Sequence, residues 1–520
     1  MAELLCGLET EYAFAVVTPG GERYDRAEAV EKLISIAQRR LKQLPDAYGR
    51  GMFLQNGARF YIDCGLHPEM TTPECPNPWD AVRYTLAGER ILSEIAREFA
   101  RTSNAAEVVV LRCNVDYSGQ HTTWGCHESY LHRCNPELIR EQIIPHLVSR
   151  LIYAGAGGFQ PFSRGIEFTV SPRVAHLVAE VSGTSTDARG IYHTKDESLS
   201  SEGYHRLHLL CGESLCSQIA QFVKVGATAL VVAMIEGGVR PGDTVTLSDP
   251  LDAMRRFAAD TECKAEAPAA DGGPLTALAI QRHYLALAEA NQGASFMPPW
   301  APQVCQHWRL VLDQLEHDLP SADRLLDWPL KLSLCRDHAA RRGLDWESFS
   351  AWNRTLNSAA EPAPRRRRRL LEELAVPPGA RPDAESASDL TAPPAPIGLD
   401  PNRLRQFLNL RHELFEIDTR FGQLGDKSIF GALDRAGLLA HHVAGVDNIE
   451  HAMENPPASG RARLRGESIK RLGGRDRPYF CDWTWIHDLR ASRFLDLSDP
   501  WQTDERWREA SPESPVEVLI

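Results

Sequence analysis

The order of strand-like and helix-like segments near the start of the chain is the feature that most restricts its fold. Strand patterns over residues 1–16, 53–64 and 107–116 are separated by helical periodicity over residues 26–44 and 79–101. The spacing is irregular and does not repeat the β-α-β unit of a doubly wound parallel sheet. We therefore predict an α+β fold, in which helices pack on an antiparallel sheet.

Length and composition set the number of domains that we expect. The 520 residues, 43% of them hydrophobic, are enough for one large core and a smaller second domain. We predict a large domain over residues 1–357, mostly helical from about residue 210 onwards. Residues 358–400 are rich in Pro, Ala and Arg and predict a flexible insertion. Residues 401–520, where helical periodicity returns, are predicted to form a small C-terminal domain.

Five consecutive arginines, Arg365–Arg369, lie inside the predicted insertion. Such a run can serve as a docking site for an acidic partner, or it can be a solvated charge cluster that opens the helical segment after it. The sequence leaves both interpretations open.

Charge and hydropathy argue against two classes of partner. Lys and Arg number 57 and Asp and Glu number 70, so the net charge of -13 repels a phosphate backbone, and we expect no nucleic-acid partner. The opening residues lack a basic stretch followed by an apolar one, so we expect no secretory signal. The longest apolar run, Val225–Ile235, ends at Glu236 and has about half the length of a bilayer crossing. We interpret it as a buried helix and expect no membrane association.

The chain contains 12 cysteines, and none of them forms a C-x-x-C pair. This spacing excludes zinc-ribbon and thioredoxin-like sites. In a long chain without a secretory signal, reduced core thiols are the expected state, and they predict a cytoplasmic protein.

Two acids, Glu9 and Glu11, are two residues apart on the first predicted strand, so both carboxylates lie on one face. Neighbouring carboxylates repel each other unless they face water or a cation lies between them. Magnesium prefers such oxygen ligands. A solvent-facing strand and a magnesium site both fit this pattern.

Alternation in the segment NGARFYIDCGLHPEM divides it into two faces. Phe60 and Ile62 form an apolar face, whereas Arg59, Tyr61 and Asp63 place a cation, a phenol and a carboxylate on the other. A solvated face and a functional site are again the alternatives, and a tyrosine between an arginine and an aspartate favours a site.

The segment WGCHESYLH does not form a known metal or nucleophile motif. His127 and His132 are five residues apart rather than the four of H-E-x-x-H, so on a helix they would point in different directions. Cys126 and His127 are adjacent and would lie on opposite faces of a strand, which argues against a Cys–His nucleophile pair. Phosphate loops of the G-x-x-x-x-G-K-[ST] kind are absent as well. Nucleotide binding would therefore depend on metal ions and arginines.

Three ordered segments, GLETEYAF, NGARFYIDCGLHPEMTTPEC and NVDYSGQHTTWGCHESYL, resemble the Pup ligase and depupylase family. The likeness continues in YHRLHLLCGES, ENPPASGRARLRGESI and CDWTWIHDL, and it covers most of the chain outside residues 358–400. The resemblance implies a glutamine-synthetase-like catalytic domain and a small C-terminal domain that completes an ATP site. It also implies ATP and Mg²⁺ as cofactors, and a Pup-like modifier and lysine-bearing proteins as partners.

The resemblance assigns roles to individual residues of this chain. It implies Asp63 as the catalytic base. The magnesium ligands that it implies are Glu9, Tyr61 and Glu69, to which we add Glu11 and His127 from their motifs. The ATP contacts that it implies are Arg59, Thr72 and Trp483, to which we add Arg206.

The family contains ligases, which join the C-terminal glutamate side chain of Pup to a lysine, and depupylases, which deamidate Pup or remove it. Family ligases space Asp-x-x-x-His-Pro-Glu as Asp63 and His67-Pro68-Glu69 do here, and the long insertion that depupylases carry before the N-G-A-R strand is absent. We therefore predict the ligase. The alternatives are a depupylase or deamidase, a carboxylate–amine ligase for a different acid, and a binding protein without catalysis.

Some positions next to these motifs depart from the family pattern. Lys195 stands where the family usually has arginine, and Gly212-Glu213-Ser214-Leu215 replaces Gly-Asp-(Ser/Ala)-Asn. Lysine cannot form the bidentate fork of arginine. These departures bear on which carboxylate the protein accepts.

Overall fold

The computed structural model describes residues 4–510 except 23, 48, 187, 196–198, 201–202, 359–400 and 475–477. The strands are β1 Cys6–Glu11, β2 Ala13–Val17, β3 Gln43–Pro45, β4 Gly51–Leu54, β5 Arg59–Ile62, β6 Pro68–Thr71, β7 Glu107–Leu111, β8 Cys126–His132, β9 Gly158–Phe159, β10 Phe168–Thr169, β11 Ala179–Ser182, β12 Gly190–His193, β13 His205–Leu209, β14 Glu266–Pro268, β15 Pro274–Thr276, β16 Tyr479–Cys481, β17 Trp485–Asp488, β18 Arg493–Asp496 and β19 Trp507–Glu509. The α-helices are α1 Arg26–Arg40, α2 Pro78–Thr102, α3 Pro136–Ser149, α4 Leu151–Ala154, α5 Gln218–Glu236, α6 Pro250–Ala259, α7 Ala277–Asn291, α8 Ala301–His317, α9 Asp327–Arg341, α10 Phe349–Ser358, α11 Pro401–Phe421, α12 Ile429–Arg435, α13 Ile449–Glu454 and α14 Gly460–Leu472.

A seven-stranded sheet forms the centre of the fold, in the order β13-β8-β1-β6-β5-β4-β3. Every neighbouring pair in it is antiparallel. Helices cover one face, on which α2 packs against β1 and β6 and α5 packs against β8. The predicted α+β fold with an antiparallel sheet is therefore confirmed.

The single strand predicted over residues 53–64 is wrong, because this segment is a hairpin of β4 and β5. Gln55, Asn56 and Gly57 form its turn, in which Gly57 has a φ of 83° and the side-chain oxygen of Asn56 accepts from the Ala58 backbone N–H at 3.1 Å. An Asn-Gly pair between two apolar runs is a strong hairpin signal. The turn could therefore have been found in the sequence.

Helices α1 and α2 confirm the predicted helices over residues 26–44 and 79–101, with one correction. The Asp25 side chain caps α1 by accepting from the Glu28 backbone N–H, and that helix ends at Arg40. Leu41 is extended and leads into β3, so the last predicted residues of the helix belong to the sheet instead.

Helix α5 lies in the middle of the helical layer and packs against α2, α3, α4, α7 and α8. It is long and apolar enough to cross a bilayer, but its apolar window is completely buried inside the protein. This confirms the prediction of a buried helix over Val225–Ile235. All twelve cysteines are free and ten are buried, as expected for core thiols.

Gly226 allows α5 to approach α8 closely. A Cβ atom at this position would lie 2.8 and 2.9 Å from the two γ-carbons of Val304, whose β-branched side chain has little freedom to move. We expect Gly226→Ala to lower the free energy of unfolding by about 1–3 kcal/mol, measured by urea denaturation. Gly293→Ala is the control, because a Cβ there meets no atom within 4 Å. Equal stability of the two variants would contradict the close packing of α5 on α8.

The residues after 401 pack on the large domain in two places, one on its helices and one on its sheet. Asp418 of α11 accepts a hydrogen bond from Lys331 of α9, which connects that helix to the large helical layer. The four-stranded sheet β16-β17-β18-β19 shares a hydrophobic cluster with Leu44 and Phe53 of the large sheet. The predicted insertion, with Arg365–Arg369, falls almost entirely outside the described residues. Its flexibility and the boundaries at 357 and 401 therefore stay predictions.

Candidate active site

Two rows of polar side chains run across the open face of the large sheet. In the first row, Glu9 of β1 lies opposite His127 of β8 on one side and Thr71 of β6 on the other, and Thr71 lies opposite Arg59 of β5. Residues directly opposite each other share a face of the sheet. These side chains come from segments far apart in the sequence, and only strand pairing brings them together.

The second row lies one alternation further along the same strands. Glu69 of β6 lies between Glu11 of β1 and Tyr61 of β5. Phe60 and Ile62 of β5 are buried on the opposite face, as the alternation predicts. The structure therefore groups six of the predicted site residues on one face, namely Glu9, Glu11, Arg59, Tyr61, Glu69 and His127.

Hydrogen bonds connect the two rows around Glu9. The Tyr61 hydroxyl donates to Oε1 of Glu9, and Nδ1 of His127 lies 3.1 Å from Oε2. The other ring nitrogen of His127 lies 3.7 Å from Glu11. His208 of β13 brings Nε2 to 3.9 Å from Oε2 of Glu9. The resemblance places His208 in a motif of the active-site sheet, YHRLHLLCGES, but does not include it among the metal ligands.

The carboxylates of this cluster lie close enough to repel one another. Burial and the neighbouring carboxylates of Glu9 and Glu11 raise the pKa of Glu69 well above its usual range. Burial would also raise the pKa of Glu9, but hydrogen bonds from His127 and Tyr61 outweigh it and lower that pKa. A cation bound between the carboxylates would relieve this repulsion.

Among the described residues, three groups of side chains have donor atoms close enough to hold a metal ion. Two of them lie in this cluster, Glu9 with His127 and His208, and Glu11 with Glu69 and His127, and the third is Asp434 with His441 and His442 near helix α12. In each group the ligand atoms lie within 4.8 Å of one another. Burial and the charges of Arg206 and His127 lower the pKa of His208 to about 3, which keeps its imidazole neutral and able to bind a metal. The carboxylate oxygens fit a hard divalent cation such as magnesium, whereas the imidazole nitrogens are ligands that transition metals prefer.

Arg59 is held rigidly at the other end of the first row. Its Nε and Nη2 lie 3.2 and 2.7 Å from Oδ2 of Asp46, whose side chain is fully buried. The guanidinium also stacks on the ring of Tyr61 at 4.1 Å. Asp46 was missed from the sequence, since nothing in its segment shows that it lies beside β5.

Asp63 follows directly after β5 and is held by His67. Its two carboxylate oxygens accept from the His67 backbone N–H at 2.6 Å and contact ring Nδ1 at 3.0 Å. Burial would raise the pKa of Asp63, but the hydrogen bonds from His67 outweigh it and lower that pKa. The group is therefore ionised at neutral pH and able to accept a proton. The ring of Trp124 packs against that of His67 at 5.5 Å.

Three predicted ATP contacts lie in different surroundings. Trp483 packs against Phe53, which lies opposite Arg59, so it belongs to the Arg59 end of the site. The Thr72 hydroxyl is buried and accepts from the Leu8 backbone N–H at 3.0 Å, whereas the neighbouring Thr71 is on the site face. Arg206 is on β13, four strands and about 19 Å from Arg59. The fold does not bring Arg206 together with Arg59 and Trp483.

One of the departures from the family pattern, Glu213, has a structural explanation. Glu213 is buried, and its carboxylate accepts from the backbone N–H groups of Ala156 and Arg173 at 2.7 and 2.8 Å. It therefore organises two loops beside the site. Lys195 donates its backbone N–H to Nδ1 of His193 at 3.0 Å, while residues 196–198 lie outside the described part of the chain.

The family model and two curated relatives that match this chain describe Pup ligases. Residues 4–357 and 402–487 match the family described as Pup-ligase protein. The chain is 31% identical over 518 residues to the Pup–protein ligase of Acidimicrobium ferrooxidans, with 97% of each chain covered. It is 30% identical over 518 residues to the Pup–protein ligase of Nakamurella multipartita, with 97% of this chain and 98% of the relative covered.

Solved structures with a similar fold include Pup ligases as well. A crystal structure of the complex between the prokaryotic ubiquitin-like protein Pup and its ligase PafA matches with a TM-score of 0.71 and 22% identity, and covers 99% of this chain and 92% of that one. PafA in complex with ADP matches with a TM-score of 0.66 and 22% identity, and covers 95% and 92%. At these identities the likeness shows a shared fold.

Proposed function

The chain belongs to the Pup-ligase protein family, and on that premise we propose that it is an ATP-dependent ligase. It phosphorylates the side-chain carboxylate of the C-terminal glutamate of a Pup-like modifier and transfers the modifier to a substrate lysine, which forms an isopeptide bond. The observation that carries this proposal is the cluster formed by Glu9, Glu69 and Tyr61 on the large sheet. Arg59, which is paired with Asp46, lies on one side of this cluster, and the ionised Asp63 lies on the other.

The first chemical step is phosphorylation of the carboxylate, which takes place at the Arg59 end of the site. A free carboxylate resists attack by an amine because an oxide would have to leave, whereas an acyl phosphate releases phosphate. Magnesium held by the carboxylates of this cluster would offset the charge of the ATP phosphates. Arg59, which Asp46 holds in place, supplies positive charge at the point where negative charge develops during phosphoryl transfer. Trp483 and Thr72 complete the nucleotide contacts in this proposal.

Asp63 acts in the second step, which is the attack of the lysine amine on the acyl phosphate. The attacking lysine amine has a reference pKa of about 10.4 and is protonated at neutral pH. Asp63 takes a proton from it, and His67 holds both carboxylate oxygens in place meanwhile. The acyl phosphate carbon then bonds to the amine nitrogen, and phosphate leaves.

Glu9, Tyr61 and Glu69, with Glu11 and His127, are the residues that would hold Mg²⁺. The raised pKa of Glu69, caused by its burial and by Glu9 and Glu11, supports this fit, because a bound cation would offset the two neighbouring carboxylates. Arg206 and His208 lie two residues apart on the edge strand β13, and we propose that Arg206 contacts ATP from that side of the site.

We expect Glu9→Gln to raise the Mg²⁺ concentration needed for half-maximal ADP release by about 100-fold, since one charged ligand is lost from the cluster. The measurement is a magnesium titration of ADP release in the presence of modifier and acceptor. The control is Glu22→Gln on an exposed turn, which should leave the titration unchanged. Identical magnesium curves for wild type and Glu9→Gln would show that Glu9 is no ligand.

Hydroxylamine trapping tests the acyl phosphate. With Mg-ATP, a modifier ending in glutamate and no acceptor protein, hydroxylamine should give the modifier hydroxamate and one ADP for each hydroxamate. Amide cleavage with little ADP would instead indicate the depupylase chemistry of the same family. Hydroxamate formed only from a small acid would indicate a ligase for a different carboxylate.

We also propose a cytoplasmic location without membrane or nucleic-acid partners. The enclosed α5, the free cysteines and the net charge of -13 support it.

A further inference from the structure

A fully buried arginine joins the C-terminal segment to the Arg59 end of the site. Arg465 of α14 donates from Nη1 to the backbone oxygen of Trp483 at 3.2 Å, and from Nε and Nη2 to the backbone oxygen of Gly57 at 3.2 Å. Its side chain is 0% exposed. One guanidinium thus connects the β4–β5 turn to the loop that carries Trp483.

The same guanidinium contacts two aromatic rings. Its central carbon lies 4.8 Å from the ring centre of Trp483 and 5.6 Å from that of Phe53. The two rings meet edge to face at 5.0 Å. Since Phe53 lies directly opposite Arg59 in the sheet, Arg465 fixes Trp483 relative to Arg59.

Glu74 anchors this arrangement. Its carboxylate pairs with both Arg465 and Arg461, and these charges outweigh burial and lower the pKa of Glu74 to about 2. Arg461 lies on the same helix and shares Glu74, but its other hydrogen bonds go to the backbone oxygens of Leu497 and Leu199. The two arginines therefore differ in that only Arg465 contacts Trp483 among the described residues.

We propose that Arg465 is a positioning residue that sets the affinity for ATP by holding Trp483 in place. This inference rests on the proposed function, in which Trp483 contacts ATP. The planar fork of arginine is needed for it, because it donates at fixed angles to two backbone oxygens and to Glu74 at once, and the point charge of lysine does not reproduce that geometry. Arg461 contributes to the same ion pair without this effect on the nucleotide.

The test is isothermal titration of Mg-ATP into the full-length protein and its variants. We expect Arg465→Lys to raise the Kd for Mg-ATP at least tenfold. Arg461→Lys, at an equally buried site, and Arg463→Lys, at a more exposed one, should change it less than threefold. Equal losses in Arg465→Lys and Arg461→Lys would overturn the inference, because both would then act through general loosening of α14.

A double-mutant cycle with Trp483→Ala tests whether the effect passes through the tryptophan. In the Trp483→Ala background, Arg465→Lys should change the Kd less than threefold, and two fully multiplying effects would overturn the proposal. If Arg465→Lys does not yield folded protein, Arg465→Gln replaces it, because it removes one buried charge and leaves Glu74 paired with Arg461, and at least a tenfold loss is expected.

The wild-type titration separates the two proposals. A wild type that fails to bind Mg-ATP overturns the proposed function and this inference with it. A wild type that binds Mg-ATP, together with an unchanged Kd in Arg465→Lys, overturns this inference alone.

Discussion

Replacing Asp63 by asparagine is expected to lower kcat for conjugate formation by about 100-fold to 10,000-fold, the usual contribution of a positioned general base. Asparagine keeps the size of the side chain and an oxygen that accepts from the His67 backbone, so the loop after β5 should keep its shape. What it loses is the ability to take a proton from the lysine amine. The Kd for Mg-ATP, measured by titration, should change less than threefold.

The matched control is Asp271→Asn in the exposed turn between β14 and β15, where the carboxylate accepts only from the Gly273 backbone N–H. Its kcat should equal that of the wild type. If Asp63→Asn were as fast as Asp271→Asn, Asp63 could not be the base and another group would have to accept the proton.

Glu128→Gln has the largest expected effect on stability. Glu128 is fully buried behind the site, and its two oxygens accept from Nη1 and Nη2 of Arg150 at 2.8 and 2.7 Å. Lys224 lies 4.0 Å away and is also buried. Burial would raise the pKa of Glu128, but Arg150 and Lys224 outweigh it and lower that pKa, so the carboxylate is charged.

Glutamine at position 128 leaves two buried cations without a counter-charge. Removal of one partner of a buried pair costs about 3–5 kcal/mol, and the second cation adds to this. We expect an equivalent loss in the free energy of unfolding, measured by urea denaturation with intrinsic fluorescence. Glu262→Gln, in an exposed pair with Lys264, should stay within about 0.5 kcal/mol of the wild type. A stable Glu128→Gln protein would mean that the cations find other partners.

The faces of the short strands could be predicted from the sequence, whereas the pairing of the strands could not. Alternation alone placed Glu9 with Glu11, and Arg59 with Tyr61, because side chains on a strand point to opposite faces in turn. The pairing of β1 with β6 depends on contacts between segments about 60 residues apart, and alternation carries no information on them. The sequence therefore predicted the two halves of the site without placing them side by side.

Single buried partners were the hardest part of the site to predict. Asp46 has no motif around it, and its importance follows from its position beside Arg59. The role of Trp483 came from family resemblance, because its contact with Phe53 joins residues more than 400 positions apart. His127 and His132 lie on strand β8 rather than on a helix, but an odd separation on a strand also puts them on opposite faces, so the exclusion of a zinc protease motif stands.

Mass spectrometry of the reaction product tests the central claim most directly. The purified protein would be incubated with Mg-ATP, a Pup ending in glutamate and a lysine-bearing acceptor protein. Our account predicts an acceptor peptide with an isopeptide bond between the glutamate side chain of Pup and a lysine, together with one ADP for each bond formed. ADP formed with a different carboxylate, and no conjugate with Pup, would contradict it.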